Sequence, residues 1–209
     1  MSVSTVVFDF GGVLLDWDPD NLYRKLIPDN EDRATFLREV CAPSWNEEMD
    51  AGKSFAQGVA ERQALFPQHA DLIAAFFDRW PEMITGTIPG MVELHGRLRA
   101  HGVPMFGLTN FASDTMQIAL PRWPVLGDFD GVIVSGDEGV IKPGREIYDL
   151  LLERYDLKAA DCVFIDDRAD NIATALDIGM QGIVFTEAQS CMDRLAELMP
   201  DLPQEVIYG

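Results

Sequence analysis

The chain has 209 residues, 47% of them hydrophobic and 24% charged, a balance typical of a globular protein that buries a sizeable core. Acidic residues number 35 against 16 basic ones, so the formal net charge is −19. A surface of this sign repels nucleic acids and anionic membranes, and we expect neither as a partner.

Targeting signals and cysteine spacing argue against a membrane-spanning protein, a secreted protein and a cysteine-ligated metal site. The sequence lacks a run of about 18 apolar residues, which excludes a predicted transmembrane helix. The N-terminal stretch MSVSTVVFDF lacks the basic and apolar regions of a signal peptide, and we therefore expect a cytoplasmic protein. Cys41, Cys162 and Cys191 show no metal-ligand spacing and are predicted to be buried thiols in a reducing compartment.

Five short apolar segments alternate with helical patterns along the chain. They are Thr5–Phe8, Val103–Leu108, Gly131–Val134, Cys162–Ile165 and Gly182–Phe185. Each is almost continuously apolar, as strands buried on both faces are. Amphipathic stretches such as GREIYDLLLERYDL lie between them. The alternation predicts an α/β fold with a doubly wound, parallel, five-stranded sheet.

Residues 16–86 interrupt this alternation. They contain helical patterns such as EDRATFLREV and DLIAAFFDRW and no strand of the buried type. We call residues 16–86 the cap segment, because they are predicted to form a small all-helical cap domain inserted after the first strand. Residues 1–15 and 87–209 are predicted to form the α/β core domain. Ligands of open parallel sheets bind at the carboxyl edge of the strands, so the cap segment is expected to cover that edge.

Polar residues follow the predicted strands at their carboxyl ends. They are Asp9 after the first strand, Thr109 and Asn110 after the second, Lys142 shortly after the third, and Asp166 and Asp167 after the fourth. Because parallel strands end at one edge of their sheet, these groups are expected around one cavity. A nucleophilic carboxylate, a hydroxyl, an ammonium group and a carboxylate pair together indicate a catalytic site.

Four motifs, in this order, resemble those of the haloacid dehalogenase superfamily over nearly the whole chain. They are VVFDFGGVLLD, FGLTN, GVIKPGREIY and VFIDDRADNI. The cap segment looks like the helical first-position cap of that superfamily, and one phosphatase-like branch resembles this chain in having glycine where Gly11 stands. The resemblance implies a Mg²⁺-dependent phosphomonoester hydrolase that forms an aspartyl-phosphate on a small phosphorylated metabolite, with a sugar 1-phosphate as one candidate.

The resemblance also implies a role for each motif residue. Asp9 is the expected nucleophile, and Thr109 and Lys142 are expected to stabilise the phosphoryl group during its transfer. The implied metal site consists of Asp9, the main-chain carbonyl of Gly11, Asp167 and Asp166, with Asn171 in a supporting role. Asp9 and Asp167 are the expected direct ligands, because Mg²⁺ prefers carboxylate oxygens.

Gly11 removes a side chain that other members of the family use. An acid at this position protonates the leaving oxygen and then activates the hydrolytic water. Glycine keeps the main-chain carbonyl but has no carboxyl group, and the loss of a general acid typically costs about 10²- to 10⁴-fold in rate. We expect the loss to be smallest for leaving groups that depart readily as anions.

Two other functions are compatible with these motifs. A 2-haloacid dehalogenase also works without the second acid, but Asp166 and Asp167 have no use in a haloacid displacement and favour the phosphatase. The third possibility is a phospho-ligand-binding protein with low turnover.

Substrate contacts are expected from both parts of the chain. Asn110 follows the threonine motif directly. Trp45 and Asn46 lie in the stretch CAPSWNEEMDAGKS, whose turn-rich composition favours a loop over a periodic helix, and packing in the core of the cap is the alternative for Trp45. These three residues are the predicted substrate-binding group.

Overall fold

The computed structural model describes residues 3–209. Its strands are β1 (Thr5–Phe8), β2 (Leu15–Trp17), β3 (Ile84–Thr87), β4 (Met105–Thr109), β5 (Gly131–Val134), β6 (Cys162–Asp166) and β7 (Gln181–Val184). Its α-helices are α1 (Asp20–Leu26), α2 (Asn30–Glu39), α3 (Pro43–Asp50), α4 (Phe55–Leu65), α5 (Ala70–Asp78), α6 (Met91–Ala100), α7 (Ser113–Ala119), α8 (Ser135–Glu138), α9 (Arg145–Arg154), α10 (Ala169–Asp177), α11 (Ala188–Leu198) and α12 (Gln204–Tyr208).

Five strands form one parallel sheet in the order β5-β4-β1-β6-β7. This confirms the predicted α/β fold, and each observed strand overlaps one of the five predicted segments. Strands β1, β4 and β6 are buried at every position, because helices cover both faces of the sheet. The chain reverses direction across the sheet at β1, which places the ends of β1, β4 and β6 side by side at the carboxyl edge.

A second, two-stranded sheet was not predicted. Strand β2 pairs with β3 in antiparallel fashion, with Leu15 opposite Thr87 and Trp17 opposite Ile84. These strands stand at the two ends of the cap segment, so the expectation of an entirely helical insert is wrong there. The paired segments are too short and too polar to show strand periodicity, and only their tertiary pairing defines them.

Aromatic side chains pack the five helices α1–α5 together. The Tyr23 and Phe36 rings lie 4.9 Å apart, and the Phe55 and Phe77 rings stack at 4.8 Å between centroids. Each such ring removes a large apolar area from water, so these contacts dominate the stability of a small helical unit.

The cysteines are buried free thiols, as predicted. Burial raises the pKa of the Cys41 and Cys191 thiols to about 12, so both are protonated at neutral pH.

Among the helices of residues 3–209, none combines the length and the apolar character that a membrane span requires.

Candidate active site

Asp9 and Lys142 form a buried ion pair at the carboxyl edge of the sheet. The Lys142 Nζ lies 2.9 Å from Asp9 Oδ1 and donates to Asp166 Oδ2 at 2.7 Å. It also donates to the Leu108 carbonyl at 2.9 Å, so its three protons have three acceptors. Lys142 is only 2% exposed, and a buried ammonium group is tolerated because every proton is matched in this way.

The carboxyl group of Asp9 is held by its neighbours in the chain as well. The Phe10 N–H donates to Asp9 Oδ1 at 2.7 Å. Burial raises the pKa of Asp9 to about 7, and the Asp166 charge adds to the rise, while Lys142 and the Phe10 N–H oppose it. Whether Asp9, the candidate nucleophile, is ionised near neutral pH therefore depends on the cations that lie beside it.

Asp166 is occupied by protein donors. Besides Lys142, it accepts from the Arg168 N–H at 2.8 Å and from Asn171 Nδ2 at 2.9 and 3.0 Å. Both of its oxygens are thus engaged, and the side chain is fully buried. Asp166 is thereby held beside Lys142, and the part in the metal site that the resemblance implies for it stays a prediction.

Asp167 has a different environment, although it is the next residue. It is exposed to the cavity, and burial of part of its carboxyl group together with the Asp166 charge raises its pKa. Gly12, at φ +73°, lies against it: a Cβ on Gly12 would lie 2.5 Å from Asp167 Oδ2. Gly12 was not singled out from the sequence. Only the structure shows that a residue without a side chain is needed there to leave room for the Asp167 carboxylate.

The donor set fits Mg²⁺. Asp9, Asp166 and Asp167 each offer a carboxylate oxygen, and these three atoms lie within 4.8 Å of one another. Gly11 lines the same cavity, so its carbonyl is available beside the carboxylates. Oxygen donors of this kind are those that hard divalent cations prefer, and a cation would oppose the rise in the pKa of Asp9 and Asp167 that burial and the Asp166 charge cause.

Asn110 lines the cavity and is also hydrogen-bonded to the Lys142 backbone, whereas Thr109 does not line the cavity. The Asn110 Nδ2 donates to the Lys142 carbonyl at 2.9 Å, and the Lys142 N–H donates to Asn110 Oδ1 at 2.8 Å. Asn110 therefore holds the lysine backbone with its whole amide group. Thr109 is 1% exposed at the end of β4 and does not form part of the cavity wall.

A cavity of about 450 Å³ opens above these groups. Its sheet side contains Asp9, Lys142, Asp167 and Asn171, and its opposite side is lined by residues of the cap segment. The cap side is largely apolar, with Trp17, Leu37, Phe76 and Trp80 among its lining residues.

The stretch around Trp45 is helical, so the prediction of a turn-rich loop is wrong. Pro43 starts α3, a position where proline favours a helix. Trp45 is 3% exposed, donates from Nε1 to the Gly58 carbonyl at 3.2 Å and meets the Phe76 ring edge-on. It is part of the helical packing and does not line the cavity, whereas Asn46 does.

Three further charged residues line the cavity, and two of them, Asp50 and Arg168, were not singled out from the sequence. Glu47 and Asp50 enter from α3, and Arg168 enters from the loop after β6. Arg168 Nη1 lies 3.6 Å from Glu47 Oε1, which joins the two sides of the cavity. The available signal was helical spacing, since Asn46 and Asp50 stand four residues apart on one face of α3.

The sheet, the cavity at its carboxyl edge and the Asp-Lys-Asp cluster define a hydrolase of the haloacid dehalogenase type. A family model for haloacid dehalogenase-like hydrolases matches residues 3–179. The chain belongs to this family.

Relatives and solved structures agree with this assignment. The chain is 29% identical to the sesquiterpene phosphatase astK of Aspergillus oryzae over 197 residues, which cover 90% of this chain and 92% of the relative. A predicted haloacid dehalogenase-like hydrolase of Porphyromonas gingivalis has a TM-score of 0.74 at 21% identity and covers 93% of this chain and 98% of its own. A magnesium complex of a haloacid dehalogenase family enzyme from Bacteroides thetaiotaomicron has a TM-score of 0.71 at 16% identity, covering 89% of this chain and 94% of its own.

Proposed function

We propose that this hydrolase is a Mg²⁺-dependent phosphomonoesterase that forms an aspartyl-phosphate on Asp9. The observation that carries the proposal is the buried Asp9 carboxyl group, with the Lys142 ammonium 2.9 Å away and the exposed Asp167 carboxylate in the same cavity. The phosphatase named among the relatives supports the same reaction class.

Asp9 is the nucleophile of the proposed reaction, and Lys142 stabilises the charge that it develops. An oxygen of Asp9 bonds to phosphorus while the bond from phosphorus to the leaving oxygen breaks, and water then hydrolyses the acyl phosphate. Lys142 stabilises the negative charge on Asp9 and on the phosphoryl oxygens. Asp166 and Asn110 keep the lysine in place through its ammonium group and its backbone, respectively.

The metal site follows from the same geometry. Asp9, Asp167 and the carbonyl of Gly11 would hold Mg²⁺, with Asp166 and Asn171 orienting the groups around it. A bound Mg²⁺ reduces the repulsion between the carboxylate and the phosphate. A magnesium complex of a related fold supports this choice of ion.

The class of substrate is inferred from the size of the cavity and from its position between the cap segment and the core domain. Residues 16–86 are taken as a cap domain over a core of residues 1–15 and 87–209, and Asn46 is its polar contact with the substrate. A sugar 1-phosphate is one candidate, since its anomeric oxygen departs readily and the alcohol is uncharged. Cavity volume supports a small metabolite.

A panel of phosphate esters with and without Mg²⁺ tests the proposal. Release of phosphate from glucose 1-phosphate, glucose 6-phosphate or p-nitrophenyl phosphate should require Mg²⁺ and should fall by roughly 10⁴-fold or more in Asp9→Asn. Asp149→Asn is the matched control, because Asp149 is an exposed carboxylate paired with Arg145 on α9. Full activity of Asp9→Asn, or activity that persists in EDTA, contradicts the mechanism.

The same preparation separates the two alternatives. Chloride release from 2-chloropropionate without metal would identify a dehalogenase, against which the retained pair Asp166 and Asp167 argues. Thermal stabilisation by a phosphate ester that is never hydrolysed would identify a ligand-binding protein.

A further inference from the structure

The site lacks a proton donor at the position where Gly11 stands. A Cβ on Gly11 would meet no atom within 4 Å, so no other side chain has taken over the space that an acid would occupy. An alkoxide leaving group needs a proton as its bond to phosphorus breaks, and a positioned acid is worth about 10²- to 10⁴-fold. The proton must then come from elsewhere in the cavity or from water.

Carboxyl groups of the cap segment are the candidates, because Asp9 and Asp167 have other roles in the proposed reaction. Asp18 lies just before α1, and its carboxylate accepts the N–H of Asp20, the first residue of that helix, at 2.8 Å. Glu47 is 40% exposed, and its Oε1 lies 3.6 Å from Arg168 Nη1. Neither carboxyl group is buried in the cap wall, since Asp18 is exposed and Glu47 is only half-buried.

Asp50 differs from both. It is 8% exposed at the end of α3 and lines the cavity on the side opposite the sheet. Asn46, one helical turn earlier, donates from Nδ2 to Asp50 Oδ2 at 2.9 Å and fixes the direction of the carboxyl group. The carboxyl group is therefore held in the cap wall of the cavity, where the alcohol part of a substrate would lie.

Burial and the neighbouring Glu47 favour the protonated form of Asp50. Burial raises the pKa of Asp50 to about 7, and Glu47 on the same helix adds to the rise. The Ala112 N–H at the start of α7 and the Lys142 ammonium group lower the pKa and limit the rise. A carboxyl group balanced in this way can both give and take a proton near neutral pH.

We infer that Asp50 is the general acid and base of this site, in place of the carboxyl group absent at Gly11. This inference rests on the proposed phosphatase function. In the first step Asp50 gives its proton to the leaving oxygen as the bond from that oxygen to phosphorus breaks and Asp9 becomes phosphorylated. In the second step the Asp50 carboxylate takes a proton from the water that attacks phosphorus, and the bond from phosphorus to the Asp9 oxygen breaks, which releases phosphate, the free Asp9 carboxylate and protonated Asp50.

Leaving-group dependence in Asp50→Asn tests the inference. For a 2-phenylethyl phosphate, whose leaving group needs a proton, kcat/KM should fall about 10²-fold or more. For p-nitrophenyl phosphate kcat/KM should change less than about tenfold, because that leaving group departs as an anion. Its kcat should fall further than its kcat/KM, giving a burst of nitrophenol, since hydrolysis of the acyl phosphate still lacks its base.

A second variant supplies the missing group. Gly11→Asp in the Asp50→Asn background should restore hydrolysis of 2-phenylethyl phosphate, because the space around Gly11 is open. Asp18→Asn is the matched control and should show no difference between the two substrates. Equal losses of kcat/KM for both substrates in Asp50→Asn, without recovery on adding Gly11→Asp, would overturn the inference and leave Asp50 a structural residue.

The pH profile is an independent readout. With the parent chain, kcat/KM for 2-phenylethyl phosphate should fall as the pH rises through about 7, where Asp50 loses its proton. Asn46→Ala removes a hydrogen bond to the ionised form and should move this limb to higher pH, even if Asp50→Asn does not fold. If the high-pH limb of kcat/KM is at the same pH in Asn46→Ala as in the parent chain, Asp50 is not the general acid. A parent chain that hydrolyses neither substrate instead contradicts the proposed function itself.

Discussion

The two sides of the cavity are built by different interactions. On the sheet side, Asp9, Lys142 and Asp166 are buried and paired through contacts of 2.7 to 2.9 Å. On the cap side, aromatic rings provide the packing, and the link to the sheet side through Arg168 and Glu47 is a long, exposed pair at 3.6 Å. The paired groups of the sheet side therefore resist change, whereas the packing residues of the cap side, unlike Asp50, can vary in sequence with less effect on the chemistry.

Lys142→Met is the strongest test of this difference. It leaves Asp9 and Asp166 as two buried carboxylates without their shared cation, which should cost about 3–5 kcal/mol of unfolding free energy. Hydrolysis of p-nitrophenyl phosphate should fall by roughly 10³-fold, because the charge on the phosphoryl group also loses its partner. Urea denaturation and steady-state kinetics measure the two effects.

Lys53→Met is the control on the cap side. Lys53 forms exposed ion pairs with Glu48 and Glu61, and such pairs contribute little to stability. If the two lysine variants lose similar stability, the contrast between a fixed sheet side and a tolerant cap side is wrong.

Gly12→Ala should have an intermediate effect that is specific to the metal. The new Cβ would lie 2.5 Å from Asp167 Oδ2 and would force the carboxylate away, so the Mg²⁺ concentration for half-maximal activity should rise roughly tenfold or more. A titration of activity with Mg²⁺, or calorimetric Mg²⁺ binding, measures the change. Gly11→Ala adds the same methyl group one residue earlier in open space, and its Mg²⁺ dependence should stay close to that of the parent.

Asp114→Ala should have the smallest effect of the three. Asp114, in the first turn of α7, accepts the Phe55 N–H at the start of α4 through Oδ2 at 2.9 Å and so ties the sheet side to the cap segment. Loss of a helix-capping acceptor costs about 1 kcal/mol, measured as a lower urea midpoint, while kcat should change little. Asp149→Ala on α9 is the control, and a larger loss there would show that the tie contributes nothing.

The sheet and its reacting groups could be predicted because they depend on local signals. Strands buried on both faces are continuous apolar runs, and a parallel sheet brings the residues after such runs to one edge. Asp9, Lys142, Asp166 and Asp167 meet there as expected.

The cap side was harder to predict, because its residue roles depend on what lies across the cavity. Trp45 has the same composition around it whether it faces a substrate or the helical packing, and only the position of Phe76 and Gly58 places it in the packing. Asp50 resembles any polar residue on a helix until burial and its place in the cavity wall are known.

The sequence by itself determined the fold class, the order of the motifs and the residues that end the strands, because these follow from apolar runs and local spacing. Only the tertiary structure decided which carboxylate is enclosed by protein donors and which faces the cavity. Asp166 and Asp167 are adjacent in the chain, yet one is enclosed by Lys142 and Asn171 and the other faces the cavity beside Gly12. Burial and hydrogen-bond partners come from distant segments, and they set the charge and the availability of each group.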